Sequence, residues 1–143
     1  MSGKSPMPIH FKTLSDTRYS FEYVGGVTDD DVDTAQAQWL AAMRKADAAG
    51  KRLVLFVDGL RSEGLSAKQR QVTADFSIKH EGLIRRVCAA QAVLLESELQ
   101  RGILTAIFWL KPPPTELRVF KTRAEGEAFL DEVERKSGLA RSA

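Results

Sequence analysis

The pattern of apolar and polar residues predicts strands that alternate with helices. Two runs in which apolar and polar residues alternate, Ile9–Thr13 and Tyr19–Tyr23, predict a β-hairpin. Two continuous apolar runs, Leu53–Asp58 and Val87–Leu95, are typical of strands that are buried on both faces of a parallel sheet. A shorter run at Leu117–Phe120 predicts the last strand.

Helices are predicted between these strands. Thr28, which three aspartates follow, is a capping signal for the first helix, and capping boxes start further helices at Ser66 and Thr122. The first helix is expected to bury one stripe of residues at helical spacing: Val32, Ala35, Trp39, Met43 and Ala46. The resulting order, β-β-α-β-α-β-α-β-α, predicts an α/β fold with a single mixed β-sheet and packed helices.

The helix predicted from Ser97 to Leu110 is apolar around most of its circumference. Its core face is expected to consist of Leu99, Ile103, Ala106, Ile107 and Leu110. A second apolar face is either covered by the same chain or presented to a partner, and the short chain favours a partner. The predicted interaction surface comprises Leu104, Phe108, Trp109 and Arg101.

The length and net charge of the chain limit the kinds of protein it can be. A chain of 143 residues is typical of one domain, which we expect at residues 8–137, between a disordered lead-in at 1–7 and a flexible tail at 138–143. The formal net charge of +2 is too small to indicate nucleic-acid binding without a basic stripe or a motif.

Compartment and disulfide chemistry follow from a few features of the sequence. The only cysteine, Cys88, excludes a disulfide or a cysteine-based zinc site within one chain. No uncharged apolar run has the length of a membrane span, and the first residues do not resemble a signal peptide. These features predict a cytoplasmic protein.

Catalytic and metal-binding motifs are not expected. The sequence has no glycine-rich phosphate loop, no nucleophile elbow and no cluster of histidines and carboxylates, which argues against an enzyme, a cofactor or a metal. An acid–base pair formed by Asp58 and His80 is an alternative, although Asp58 equally suits a turn. Local function is expected in the loop from Asp58 to Leu65, where a strand ends.

The order of elements and several residues of the second half resemble the STAS/SpoIIAA-like superfamily. The most similar members are uncharacterised bacterial SpoIIAA-like proteins, and the similarity lies in Arg101–Trp109, Val119–Phe120, Thr122, Glu125 and Glu127–Leu130. The resemblance implies a regulatory or ligand-binding domain with a mixed sheet.

In regulatory members of that superfamily, an aspartate at the end of the third strand precedes a phosphorylatable serine. Asp58 matches the aspartate, whereas Gly59–Arg61 departs from the paired-serine pattern. Ser62 and Ser66 lie nearby without matching the position of the serine, so they form, with Asp58, only a candidate switch loop. Ser66 also has the simpler interpretation of a helix cap.

Two functions therefore remain open. The first is a non-enzymatic, cytoplasmic regulatory or protein-interaction module that binds a partner protein or forms a homodimer. The alternative is a carrier of an apolar small molecule or lipid, with a pocket between helix and sheet near Phe76, Phe108 and Trp109.

Overall fold

In the part of the chain that the structure describes, five strands lie side by side in one mixed sheet. In chain order they are β1 (Ile9–Thr13), β2 (Arg18–Gly25), β3 (Leu53–Ser62), β4 (Cys88–Leu94) and β5 (Glu116–Phe120). The strands have the same order across the sheet. β1 and β2 are antiparallel, and each later strand is parallel to the one before it. The predicted hairpin and the predicted single mixed sheet are confirmed.

The computed structural model describes residues 8–110 and 112–137, with the side chains of all of these except Ile107, Phe108 and Leu110. The segments 1–7 and 138–143, predicted as lead-in and tail, lie outside the described residues. The predicted role of the Phe108 side chain lies outside them as well.

Among the described residues, five helices connect and follow the strands. They are α1 (Asp29–Ala48), α2 (Ala67–Lys79), α3 (Glu81–Val87), α4 (Glu98–Leu110) and α5 (Arg123–Ser137). The prediction of one helix between β3 and β4 was wrong, because the chain leaves helical geometry at His80 (φ −110°, ψ 22°). The carbonyl of His80 then accepts a hydrogen bond from Ile84 N (2.9 Å), which starts α3.

The predicted caps hold the helix starts. Thr28 Oγ1 accepts a hydrogen bond from Asp31 N (3.1 Å), and Asp31 Oδ2 accepts one from Thr28 N (2.8 Å). Ser66 and Gln69 make the same reciprocal pair, with both distances 3.0 Å. Each pair satisfies two amides that a helix end otherwise leaves free, which stabilises the first turn.

One face of the sheet packs against α1 and α3. The predicted stripe of α1 is buried, with Met43 fully enclosed and Trp39 against the aromatic rings of β1 and β2. Ile84 and Val87 of α3 complete this larger core. The pattern predicted α1 well because its apolar residues occupy a single arc of the helix.

The other face of β3 and β4 packs against α5. Leu130 is fully buried there against side chains that include Phe56 and Leu94. Gly126 allows the helix to lie close to the sheet, since a Cβ at that position would be 3.1 Å from Leu94 Cδ2 and 3.2 Å from Phe56 Cε2. The central strands are therefore buried on both faces, as their continuous apolar runs predict.

β3 extends further than the sequence predicts. Asp58–Gly59 was expected to end the strand, but pairing with β2 continues as far as Gly25 opposite Ser62, beyond a register shift between Glu22 and Val24. Gly59 serves close packing instead, because a Cβ there would lie 2.9 Å from the carbonyl oxygen of Leu94. A turn signal and a close approach require the same small residue, and the sequence alone does not distinguish them.

Candidate interaction surface

The start of α4 is fixed by one arginine. Arg101 Nη1 donates hydrogen bonds to the carbonyl oxygens of Leu95 (2.6 Å) and Glu96 (2.7 Å), in the segment between β4 and α4. Ser97 Oγ accepts a hydrogen bond from Gln100 N (3.2 Å). Arg101, which was predicted in the interaction surface, therefore ties α4 to the end of β4.

The described part of the predicted core face of α4 is exposed. Leu99 is 72% exposed and Ile103 is 52% exposed, so the face that was expected to pack on the sheet faces solvent. Leu104, which was predicted in the interaction surface, is half-buried. The prediction of the core face was wrong because periodicity locates apolar arcs without stating which arc meets the sheet.

The contacts of Arg101 mark the side of α4 that faces the protein. Arg101 and Leu104 are three residues apart and therefore lie on one side of α4. Since the guanidinium of Arg101 binds carbonyls at the end of β4, that side faces the protein and the side of Leu99 and Ile103 faces outward. Trp109, which was also predicted in the surface, is 83% exposed. We call Leu99, Ile103 and Trp109 the α4 face.

A cleft lies between α4 and β5. Its volume is about 370 Å³, and its described lining consists of Thr105, Trp109, Leu117, Arg118, Val119 and Phe120. Within the described residues, α4 meets the sheet mainly along β5. The volume is in the range of small-molecule sites. Of the aromatic residues predicted to line a pocket, Trp109 lines the cleft and Phe76 packs in the larger core.

The three residues of the candidate switch loop have separate environments. Asp58 accepts hydrogen bonds from Leu60 N (3.1 Å) and from Arg123 Nη1 (2.9 Å), and Ser62 Oγ accepts one from Gly64 N (2.9 Å). Asp58 shares a face of β3 with Phe56, which packs against α5. Ser66 caps α2, which belongs to the opposite layer. The structure does not bring these side chains into one site.

Arg123 is a partner of Asp58 that the sequence analysis missed. Besides the ion pair, its guanidinium lies over the ring of Phe56, 4.9 Å from the centroid, and 3.3 Å from Glu127 Oε2. Asp58 and Arg123 are 65 positions apart, and no local pattern links them. The position of Arg123 in the first turn of α5 was the only available signal.

His80 and Cys88, the remaining candidate reactive residues, also lie apart from Asp58. His80 packs against Phe76 with ring centroids 4.7 Å apart and ring planes tilted by 54°, on the side of the sheet opposite to the Asp58 side chain. Complete burial raises the pKa of the Cys88 thiol to about 12. The thiol therefore remains protonated and unreactive at neutral pH. The parts of the chain that the structure describes contain no group of histidine, cysteine and acidic side chains that could hold a metal ion.

Similarity to known proteins supports the fold. The chain resembles the crystal structure of an uncharacterised protein of the DUF3478 family with a SpoIIAA-like fold from Shewanella loihica PV-4. The two chains are 22% identical with a TM-score of 0.60, and the match covers 85% of this chain and 91% of the other. No protein-family model and no curated protein matches the chain.

The predicted SpoIIAA-like fold is thereby confirmed. Among the helices of residues 8–110 and 112–137, none is long and apolar enough to cross a membrane.

Proposed function

We propose that this protein is a non-enzymatic, cytoplasmic regulatory module of the STAS type, which binds a partner protein or a second copy of itself through the α4 face. The observation that carries the proposal is the exposure of Leu99, Ile103 and Trp109 on a single helix. Clustered large apolar side chains on a soluble domain are characteristic of contact surfaces.

The energetics support a protein partner. Moving a leucine or isoleucine side chain from water into an interface contributes about 1.5–3 kcal/mol, and tryptophan is enriched at the centre of interfaces. Arg101 holds the first turn of α4 in place, so the face is pre-organised and its ordering costs little on binding. The SpoIIAA-like fold and the single reduced, buried cysteine are consistent with a cytoplasmic regulatory role.

Photo-crosslinking in the native host tests the proposal. A photoreactive amino acid at Ile103 is expected to form covalent adducts with a protein, whereas the same group at Ile78 is not. Ile78 on α2 is a matched control because both isoleucines are 52% exposed. Equal adduct formation at the two positions, or none at Ile103, would contradict the proposal.

A second function has support from the cleft between α4 and β5. The cleft combines apolar walls with the cationic side chain of Arg118, which suits an amphiphile with one anionic group, such as a fatty acid. A fluorescent fatty acid is then expected to bind with one-to-one stoichiometry. Leu117→Trp, which fills the cleft, is expected to abolish binding, and Ile78→Trp is expected to leave it unchanged. Equal binding by both variants would exclude the cleft as the carrier site.

A further inference from the structure

β5 forms one edge of the sheet. Within the described residues it pairs only with β4, along Ala90–Leu94, so its other edge has no strand beside it. Edge strands present unpaired backbone groups, which commonly accept a strand from another chain. β5 carries none of the proline or bulge features that block such pairing within Glu116–Phe120.

The cleft lies along this free edge. Its lining includes four consecutive residues, Leu117 to Phe120, whose side chains alternate between the two faces of the sheet. A space that touches consecutive residues borders the edge of a strand and not one of its faces. Thr105 and Trp109 form the wall on the α4 side. The cleft is therefore placed to receive an extended strand beside β5.

The charges of β5 favour a second copy of β5 as that strand. Arg118 and Phe120 contact Phe129 of α5, which places the even-numbered side chains of β5 on the α5 face. Glu116 is on the same face, since Arg118 Nη2 lies 3.1 Å from its Oε2. Leu117 and Val119 are on the other face. β5 thus has one acidic and one basic side chain in line on one face, and an apolar pair on the other.

We propose that two copies of this chain associate through antiparallel pairing of their β5 strands, with Leu117 opposite the second copy's Leu117. Each Glu116 then faces an Arg118 across the pair, and the four charges alternate in sign around the two-fold axis. Opposite charges that face each other stabilise strand pairs. The two five-stranded sheets become one continuous sheet of ten strands.

Neighbouring registers lack this complementarity. A pair centred on Arg118 places two arginines opposite each other, and a pair centred on Glu116 places two glutamates opposite each other. Like charges in these positions are destabilising. A pair centred on Val119 places Glu116 opposite Thr122, so Glu116 has no cationic partner across the pair. The register centred on Leu117 is therefore the favoured one.

The inference rests on the proposed function, because it names the partner that covers part of the α4 face. In this dimer the second copy's strand occupies the cleft and covers Trp109, which is 83% exposed in the single chain. In this register Glu116–Arg118 of the two β5 strands lie opposite each other. A strand pair of that length alone buries less than the ~1,200 Å² of a typical stable interface, so contacts with α4 are needed to complete it.

Disulfide formation tests the register. Leu117→Cys places two thiols directly opposite each other, at the Cα separation of roughly 4.5–5.5 Å that a disulfide accepts. Val119→Cys is the matched control, because its two thiols are then separated by four residues, or roughly 13 Å along the strands. The buried Cys88 does not compete. We expect a disulfide-linked dimer on oxidation of the first variant only.

Charge reversal tests the pairing without new thiols. Glu116→Arg and Arg118→Glu each place like charges twice across the two-fold axis. Each is expected to raise the dimer dissociation constant by roughly tenfold or more, as measured by analytical ultracentrifugation. An equimolar mixture of the two variants regains opposite charges at both pairs and is expected to form a heterodimer. Circular dichroism verifies that each variant is folded.

The outcomes separate the inference from the proposed function. A monomeric wild-type protein that forms no disulfide at Leu117→Cys would overturn the inference, while adducts at Ile103 with a different protein would still support the proposed function. Disulfide formation by Val119→Cys in place of Leu117→Cys would overturn the register. Failure of the mixed charge variants to associate, with a dimeric wild type, would place the interface elsewhere.

Discussion

Single glycines determine how closely neighbouring parts of this molecule approach each other. Gly59 lies against the backbone of Leu94, whereas Gly102 on α4 has open space where a Cβ would be. The two residues are both glycines, but one has no room for a Cβ and the other does. Their substitution by alanine should therefore have opposite effects on stability.

Gly59→Ala is expected to destabilise the protein by about 1–3 kcal/mol, because the added methyl group meets a backbone carbonyl that cannot move aside. Gly102→Ala is the control, and it is expected to stabilise the protein by up to about 1 kcal/mol through the helix propensity of alanine. Urea unfolding followed by circular dichroism measures both free energies. A neutral Gly59→Ala would show that β3 and β4 are farther apart.

The histidine between α2 and α3 predicts a dependence of stability on pH. Partial burial, and then the positive charges of Lys79 and Arg44, lower the pKa of His80 below its ordinary value of 6.5. The unfolded chain therefore binds a proton more readily than the folded one. The stability that the protein gains by keeping His80 neutral is fully present above pH 6.5, and it is lost as the pH falls below that value.

His80→Gln removes the titrating group and serves as the comparison. The stability of the wild-type protein relative to His80→Gln is expected to decrease between about pH 7.5 and about pH 5.5 in urea unfolding. The effect should be small because the imidazole is only partly buried. A constant or increasing difference toward acid pH would mean that the folded protein favours the charged form.

At the scale of the elements, the sequence predicted those helices whose apolar residues lie in one arc. The buried stripe of α1 is the predicted one, from Val32 to Ala46. α4 has two apolar arcs, and the contacts of Arg101 with two carbonyl oxygens mark the side that faces the protein. Those carbonyls belong to an irregular segment, for which no periodic pattern exists. The sequence pattern therefore could not predict the orientation of α4.

Arg101→Ala is expected to loosen α4 while the rest of the fold remains stable. The loss of two charge-assisted hydrogen bonds should increase hydrogen exchange of the α4 amides by roughly tenfold or more. Exchange of the β3 amides, which requires global unfolding, is the internal control. Equal acceleration in α4 and β3 would show that Arg101 stabilises the whole domain, contrary to the role derived from its contacts.

At the scale of the molecule, two cores flank a shared pair of central strands. Leu53 and Leu55 of β3 face the larger core, and Val54 and Phe56 face the smaller one. The sequence predicted this arrangement, because a continuous apolar run is explained only by burial on both faces. The pair of Asp58 and Arg123 was not predictable, since it depends on where α5 returns to the sheet.

The shared strands predict that the two cores unfold together. Met43→Ala in the larger core and Leu130→Ala in the smaller one are each expected to cost about 2–5 kcal/mol, because both side chains are fully buried. If the cores unfold together, the increase in the hydrogen-exchange rate of the β1 amides should match the loss of unfolding free energy in each variant. Acceleration confined to α5 in Leu130→Ala would instead reveal a separately unfolding layer.

The two tryptophans of this chain give it a built-in pair of optical probes. Trp39 lies within 6.5 Å of the ring centroids of Phe11, Tyr19 and Phe21 and is 5% exposed, whereas Trp109 is 83% exposed beside the cleft. Indole emission shifts to shorter wavelength when water is excluded. The blue part of the native spectrum therefore comes from Trp39 and reports the integrity of the core, and the red part comes from Trp109, which lines the cleft. Folding and docking can thus be followed in the same cuvette without a label.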